Sequence, residues 1–161
     1  MYPRLVGALA LQFGDAEVAK EVAQEALTRA WQHWPRVSGY DSPEAWVFRV
    51  ALNLSTSRFR RATRERQALA QAAALPPAGL ADETDRIAIR AAVLALPPRQ
   101  RSALVLRFFA DLPVDQVAHV MECAPGTVKS LTAKALDALR ARLGLEIEED
   151  AQHDGHPRAT A

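Results

Sequence analysis

The sequence predicts an all-α protein made of two small helical domains joined by a flexible linker. Its seven glycines and ten prolines cluster at a few points of the 161-residue chain instead of recurring at strand spacing. Between those points, apolar residues recur with the helical period rather than alternating. Near the middle, "QALAQAAALPPAGLAD" becomes rich in alanine and proline with little charge, the composition of an interdomain connection. The expected division is therefore residues 1–68 for the first domain, 69–82 for the linker and 83–144 for the second domain. Residues 145–161 form an acidic tail without periodicity, expected to be disordered.

Element by element, a first helix is expected over residues 3–13, apolar on most sides through Leu5, Leu9, Leu11 and Phe13, with Gly14 ending it. Asp15 can cap the next helix, residues 16–34, with Glu17 near its positive end. Val18, Val22, Leu27, Ala30, Trp31 and Trp34 are its expected buried side. Pro35 then breaks the pattern and opens the loop "PRVSGYD". Ser42, Pro43 and Glu44 follow as cap, first helical residue and dipole-favoured acid. The helix they start is expected to run past Arg60, with Val47, Val50 and Leu54 on one apolar stripe and Phe48, Leu52 and Phe59 on another. Beyond the linker, helices are expected near 83–96, 98–110, 114–121 and 125–143. Pro97-Pro98, Asp111-Leu112-Pro113 and Glu122-Cys123-Ala124 divide them, and such short connections suit a compact four-helix domain.

Composition narrows the function classes. A single cysteine allows no internal disulfide, and the opening "MYPRLVGALALQFGDAE" lacks the flanks and cleavage site of a signal peptide. No apolar run approaches the roughly 20 residues that span a bilayer. A soluble protein of the reducing cytoplasm, without membrane partners, is expected. Net charge is only +1, but the charges are segregated. Residues 54–70 hold Arg58, Arg60, Arg61, Arg64 and Arg66 against Glu65, and residues 127–143 hold Lys129, Lys134, Arg140 and Arg142 against Asp137. Residues 15–34 and the tail are acidic. Two basic and two acidic segments imply at least two kinds of partner. Catalysis finds no support: His33, His119, His153 and His156 form no metal-binding spacing, no Gly-rich phosphate loop exists, and Ser55 and Ser57 lack an identifiable base. No enzyme activity, cofactor or metal is expected.

Three stretches invite binding. "CAPGTVKSLTAKALDALRARLG" has the form of the second half of a helix-turn-helix. Val117-Ala118 supplies the small crossing, Cys123 the apolar turn position, and Val128, Ala135 and Leu139 the buried stripe. Thr127, Lys129, Ser130 and Lys134 are left for phosphates or base edges. A solvated amphipathic helix is the plainer alternative, since the same geometry occurs in structural bundles. Glu21, Gln24 and Glu25, at i, i+3 and i+4, share an exposed acidic and amide face that suits a basic partner or simply water. Trp46, Arg49 and Asn53, at i, i+3 and i+7, combine an aromatic plane, a cation and an amide, a workable single-strand-binding set; core packing is the competing role for Trp46.

"LPPRQRSALVLRFFADLPVDQVAHVMECAPGTVKS" resembles the fourth conserved region of bacterial RNA polymerase sigma factors. "AKEVAQEALTRAW" and "SPEAWVFRVALNLSTSRFRR" resemble the core-polymerase-binding and minus-ten helices of the second region. Two such regions on a short linker resemble the extracytoplasmic-function class, over roughly residues 2–143. The resemblance implies a non-enzymatic initiation subunit for promoter-specific transcription. Its implied partners are core polymerase, through the clamp helices of the largest subunit and the flap, promoter DNA, and an anti-sigma factor. It implies core binding by Glu21, Gln24 and Glu25. At the minus-ten element it implies stacking by Trp46, base or sugar contact by Asn53, backbone contact by Arg49, a flipped base held near Tyr40 in the loop 37–41, and phosphates met by Arg58, Arg60 and Arg61. At the minus-thirty-five element it implies Thr127, Lys129, Ser130, Leu131 and Lys134. A stand-alone helix-turn-helix regulator working without polymerase, and a scaffold whose DNA face has decayed, are the alternatives.

The chain departs from the family pattern at four places. Leu131 and Thr132 stand where an arginine and an apolar residue are usual, so Leu131 either turns inward by a small helix rotation or stays outward to meet a thymine methyl. Glu122 replaces the turn glycine, which is strained if φ is positive there. Pro113 replaces a capping Ser or Thr. The residues usual before "YPRL" are missing, so a short first helix is expected.

Overall fold

The computed structural model describes residues 1–54 and 81–144, with side chains from 85 onward in the second segment. All elements among the described residues are helical: α1 Tyr2–Phe13, α2 Ala16–Gln32, α3 Trp34–Val37, α4 Pro43–Leu54, α5 Ala81–Leu94, α6 Pro98–Leu104, α7 Val114–Met121 and α8 Pro125–Leu143. A π turn, Val105–Phe109, continues α6. The expected linker up to residue 80, the continuation of α4 past Leu54, and the tail 145–161 lie outside the described residues.

Local chemistry sets the helix ends. Gly14 closes α1 at φ 77°, a left-handed conformation glycine takes without a Cβ clash, and its N–H donates to Ala10 O at 2.9 Å. Asp15 caps α2: its Oδ1 accepts from Glu17 N at 2.8 Å and Val18 N at 3.1 Å. Ser42 Oγ accepts from Ala45 N at 3.1 Å and so starts α4. Pro113 offers no such bond to α7.

Three expectations are corrected. Trp31 and Trp34 are not in the core; Trp31 is 79% exposed and Trp34 48%. At about 100° per residue, Val18, Ala19, Val22, Ala23, Ala26 and Ala30 sweep one side of α2 and are all buried, while Trp31 falls on the opposite side. Nor does Pro35 open a loop. It lies in the first turn of the short helix α3, where its missing N–H costs nothing. The expected helix 98–110 changes character at Val105, the π turn leaving Phe108 and Phe109 exposed.

α1 packs along α2 and α2 against α4, while α6 and α7 pack on α8. The two units also meet each other. α1 lies against α5 and the π turn, and α4 against α7. One apolar cluster consequently runs from Leu5, Val22 and Phe48 through Leu104 and Leu106 to Val117, Val128 and Ala135. Polar bonds follow the same seam. Arg101 donates through Nη1 to Gln12 O (2.9 Å) and through Nη2 to Leu94 O (2.7 Å) and Leu96 O (3.1 Å), and Gln12 Nε2 donates to Ser102 Oγ (2.9 Å).

Candidate nucleic-acid and polymerase interface

Three faces carry the expected binding residues. The first is the helix-turn-helix of α7 and α8. Val117, 0% exposed, and Ala118, 5%, let the helices cross closely. Chain reversal then needs a left-handed residue, and Glu122 supplies it at φ 52°, ψ 50°. A side chain at such a position costs about 1 kcal/mol or more relative to glycine. Cys123 N donates to Ala118 O at 3.0 Å, and its half-buried side chain packs on the core.

In α8, Val128 and Ala135 are buried and Leu139 packs on the core, whereas Thr127, Lys129, Ser130 and Lys134 are exposed. Leu131 is half-buried at the rim and is not among the residues packed on the core; Thr132 turns its hydroxyl back to Val128 O at 2.8 Å. A polar face with one apolar member is thus presented to solvent.

The second face joins α4 to the loop before it. Tyr40, Trp46 and Arg49, all half-buried, line one cleft of about 670 Å³. Across it, α7 contributes Asp115, Gln116 and His119. Trp46 lines the cleft and also packs partly against the core. Asn53 lies further along α4 and is exposed. Arg58, Arg60 and Arg61 lie outside the described residues. Ser42 Oγ donates to Gln116 Oε1 at 3.0 Å, Arg49 forms an ion pair with Glu122, and Arg49 Nη1 is 3.4 Å from His119 Nε2.

The third face is the outer side of α2. Glu21 and Gln24 are exposed there. Glu25 is half-buried, and its Oε1 accepts from Arg29 Nε at 2.7 Å. Trp31, expected like Trp34 to be buried, belongs to this face: seven positions after Gln24, it falls on the same side of the helix, exposed beside acids and an amide. Helical register held that information, but apolar identity outweighed it. On the flank, Glu17 raises the Lys20 pKa, first by accepting its hydrogen bond (2.7 Å) and then by its charge. Among the described residues, no helix is long and apolar enough to cross a membrane, and no group of three His, Cys, Asp or Glu side chains is placed to hold a metal.

A helix-turn-helix with a basic polar face, joined to a second helical unit with an aromatic and cationic cleft, defines a DNA-binding protein of two parts. Comparison with known proteins makes this specific. Residues 1–65 match the family model "Sigma-70 region 2" and residues 86–139 match "Sigma-70, region 4". The chain is 35% identical to the ECF RNA polymerase sigma factor SigL of Mycobacterium tuberculosis, over 81% of this chain and 77% of that protein. It is 30% identical over 99% of its length to an uncharacterized protein of Rhizobium meliloti, of which it spans only 40%. Its fold matches the sigma factor RpoE of Bartonella quintana, solved in complex with the anti-sigma factor NepR, with a TM-score of 0.73 at 24% identity, covering 91% of this chain and 93% of that one. The chain belongs to the Sigma-70 family, as a sigma factor of the extracytoplasmic-function class.

Proposed function

We propose that this chain directs promoter-specific initiation by core RNA polymerase through the three faces described above. α2 docks on the polymerase through Glu21, Gln24 and Glu25, with Trp31 as an apolar anchor that desolvates the centre of the contact. The α4 cleft takes the separated strand of the minus-ten element: Trp46 stacks, Arg49 meets the backbone, Asn53 contacts a base or sugar, and Tyr40 lies beside the flipped base. Arg58, Arg60 and Arg61 meet phosphates of the upstream duplex. α8 holds the minus-thirty-five element through Thr127, Lys129, Ser130 and Lys134, with Leu131 set against a thymine methyl.

The work is non-covalent. Unpairing and unstacking bases costs a few kcal/mol, and capture of the freed base offsets it. Stacking on an aromatic contributes about 1–3 kcal/mol per base, enough to tip that balance without a catalytic group. An anti-sigma factor and the polymerase flap are further proposed partners.

The observation that carries this reading is the order of the two matched regions, residues 1–65 and 86–139. A stand-alone helix-turn-helix regulator accounts for the second and leaves the first without a role. The test is run-off transcription from promoter templates with and without core enzyme, paired with a pull-down of core by the wild-type chain and by Glu21→Lys/Glu25→Lys. The expected result is specific transcript only with both components, and loss of pull-down in the charge-reversed variant. Duplex binding and regulation independent of core, unaffected by the reversal, would overturn the proposal.

A further inference from the structure

The first turns of α5 carry apolar side chains on the surface. Ile87 and Ile89, 44% and 43% exposed, and Phe109 of the π turn, 41% exposed, meet Leu11 of α1 around a groove of about 600 Å³. Arg86 and Arg90, one helical turn apart, line the same groove. Scattered exposed apolar residues need no explanation, but a contiguous apolar groove rimmed by cations marks a contact surface. Arg90 Nη2 donates to Gly14 O at 3.2 Å, and its guanidinium carries further N–H groups. The corner where α5 ends is also where α8 ends: Arg142 Nη2 donates to Ala95 O at 3.5 Å, and Gly144 closes α8 in a left-handed conformation, φ 64°. From there the sequence continues as Leu145-Glu146-Ile147-Glu148-Glu149-Asp150, apolar residues alternating with acids before an acidic run.

We propose that this groove is the docking site of the chain's own residues 145–150, laid back along α5 in extended form. Two rulers agree on the register. Counted along α5 from the shared corner at Ala95, helical rise puts Arg90 at ~7.5 Å, Ile89 at ~9 Å and Arg86 at ~13.5 Å. An extended chain counted from Gly144 puts Glu146 at ~7 Å, Ile147 at ~10 Å and Glu148 at ~13 Å. Glu146 thereby comes level with Arg90, Glu148 with Arg86, and Ile147 with Ile89 between them. Side chains of an extended segment alternate in direction, so Ile147 enters the groove while both acids stay in water within reach of the long arginines at the rim. Each exposed ion pair is weak by itself, and burial of Ile147 on apolar surface supplies the remainder, which makes the docking reversible. A partner segment with the same alternation of apolar and acidic side chains must displace residues 145–150 to use the groove. None of this depends on the roles proposed for the DNA and polymerase faces.

The test is disulfide trapping in the full chain. Ile147→Cys is paired with Ile89→Cys, or with Ala91→Cys as control, in a Cys123→Ser background, and the bridge formed in a thiol-disulfide buffer is followed by mass spectrometry. Ala91 is exposed, does not line the groove and lies nearer the α5–α8 corner, so a tail without a docking site reaches it at least as fast as Ile89. Faster trapping at Ile89 is expected, within one chain and independent of protein concentration. Glu148→Lys or Arg86→Glu should each slow it about two- to fivefold at low salt, the range of an exposed ion pair, and the two together should restore it, as a coupled pair requires. In the chain that keeps Cys123, Ile147→Ser should uncover the groove and brighten the apolar dye ANS. Equal trapping at Ile89 and Ala91 without response to either charge reversal, or ANS emission unchanged by Ile147→Ser, would overturn the proposal. Bridging only between two chains, at a rate that rises with concentration, would also overturn it by making a second copy's tail the occupant.

Discussion

At the residue scale, Leu131 and Trp31 are apolar side chains on faces that remain open to a partner. Leu131 sits half-buried at the rim of α8, outside the core cluster. Leu131→Arg is therefore expected to change stability by no more than about 0.5 kcal/mol. It adds a cation between Ser130 and Lys134, both exposed. Duplex minus-thirty-five binding should strengthen at low salt, and log K against log salt should steepen by about 0.9 if one phosphate is gained. A titration of labelled duplex at several salt concentrations, beside a urea melt, reads both; a large stability loss with no change in slope would put Leu131 in the core instead. For Trp31, the side chain is 79% exposed, so Trp31→Ala should also leave folding almost intact. If the indole anchors the polymerase contact, core affinity falls by about 2 kcal/mol, roughly 30-fold, in a competition assay with the wild-type chain. Equal competition by the variant would return the anchor role to the acids alone.

At the scale of elements, whatever depends on neighbours in sequence was legible, and whatever depends on distant residues was not. Asp15 and Ser42 announce α2 and α4 because a cap acts across three residues, and the observed bonds are those the side chains predict. The turn at Glu122 was legible in the same way, its positive φ following from the place of a missing glycine. Pro35 misled because proline both stops one helix and begins another, and only packing decides which. Trp31 misled because its size argued for burial, while the small residues Ala19, Ala23, Ala26 and Ala30 were what let α2 approach its neighbours. The pairing of Arg49 with Glu122 had no local sign at all. The cap of α2 gives a direct test of the legible part: Asp15→Ala removes the acceptor of two N–H groups and should cost about 1 kcal/mol in a chemical melt. Asp15→Ser should recover most of that loss, and failure of the rescue would mean that α2 starts by packing and not by its cap.

For the whole molecule, the decisive fact is that two units read from sequence as separate share one apolar cluster and one polar seam. Arg101 is the centre of that seam. Its guanidinium bonds the carbonyl of Gln12 in α1 and those of Leu94 and Leu96 in its own unit, tying the end of α1 to the α5–α6 corner. Burial lowers the Arg101 pKa, because the charged form loses hydration that the carbonyls only partly replace. The sign follows: a base whose folded pKa lies below its unfolded one gains stability from rising pH only in the window between the two values. For an arginine that window lies in the strongly alkaline range, so the group stays charged in both states through neutrality. Arg101→Ala removes three charge-assisted bonds and leaves three carbonyls to find other donors, and it should cost about 2–3 kcal/mol. That cost should be the same at about pH 6 and about pH 8.5, in contrast to a seam held by a histidine. If the seam couples the units, the wild-type chain melts in one transition, and Arg101→Ala separates it into two as probed by α2-side and α8-side fluorophores. Two transitions already present in the wild type, unmoved by Arg101→Ala, would mean that the units fold independently and that the seam does not couple them.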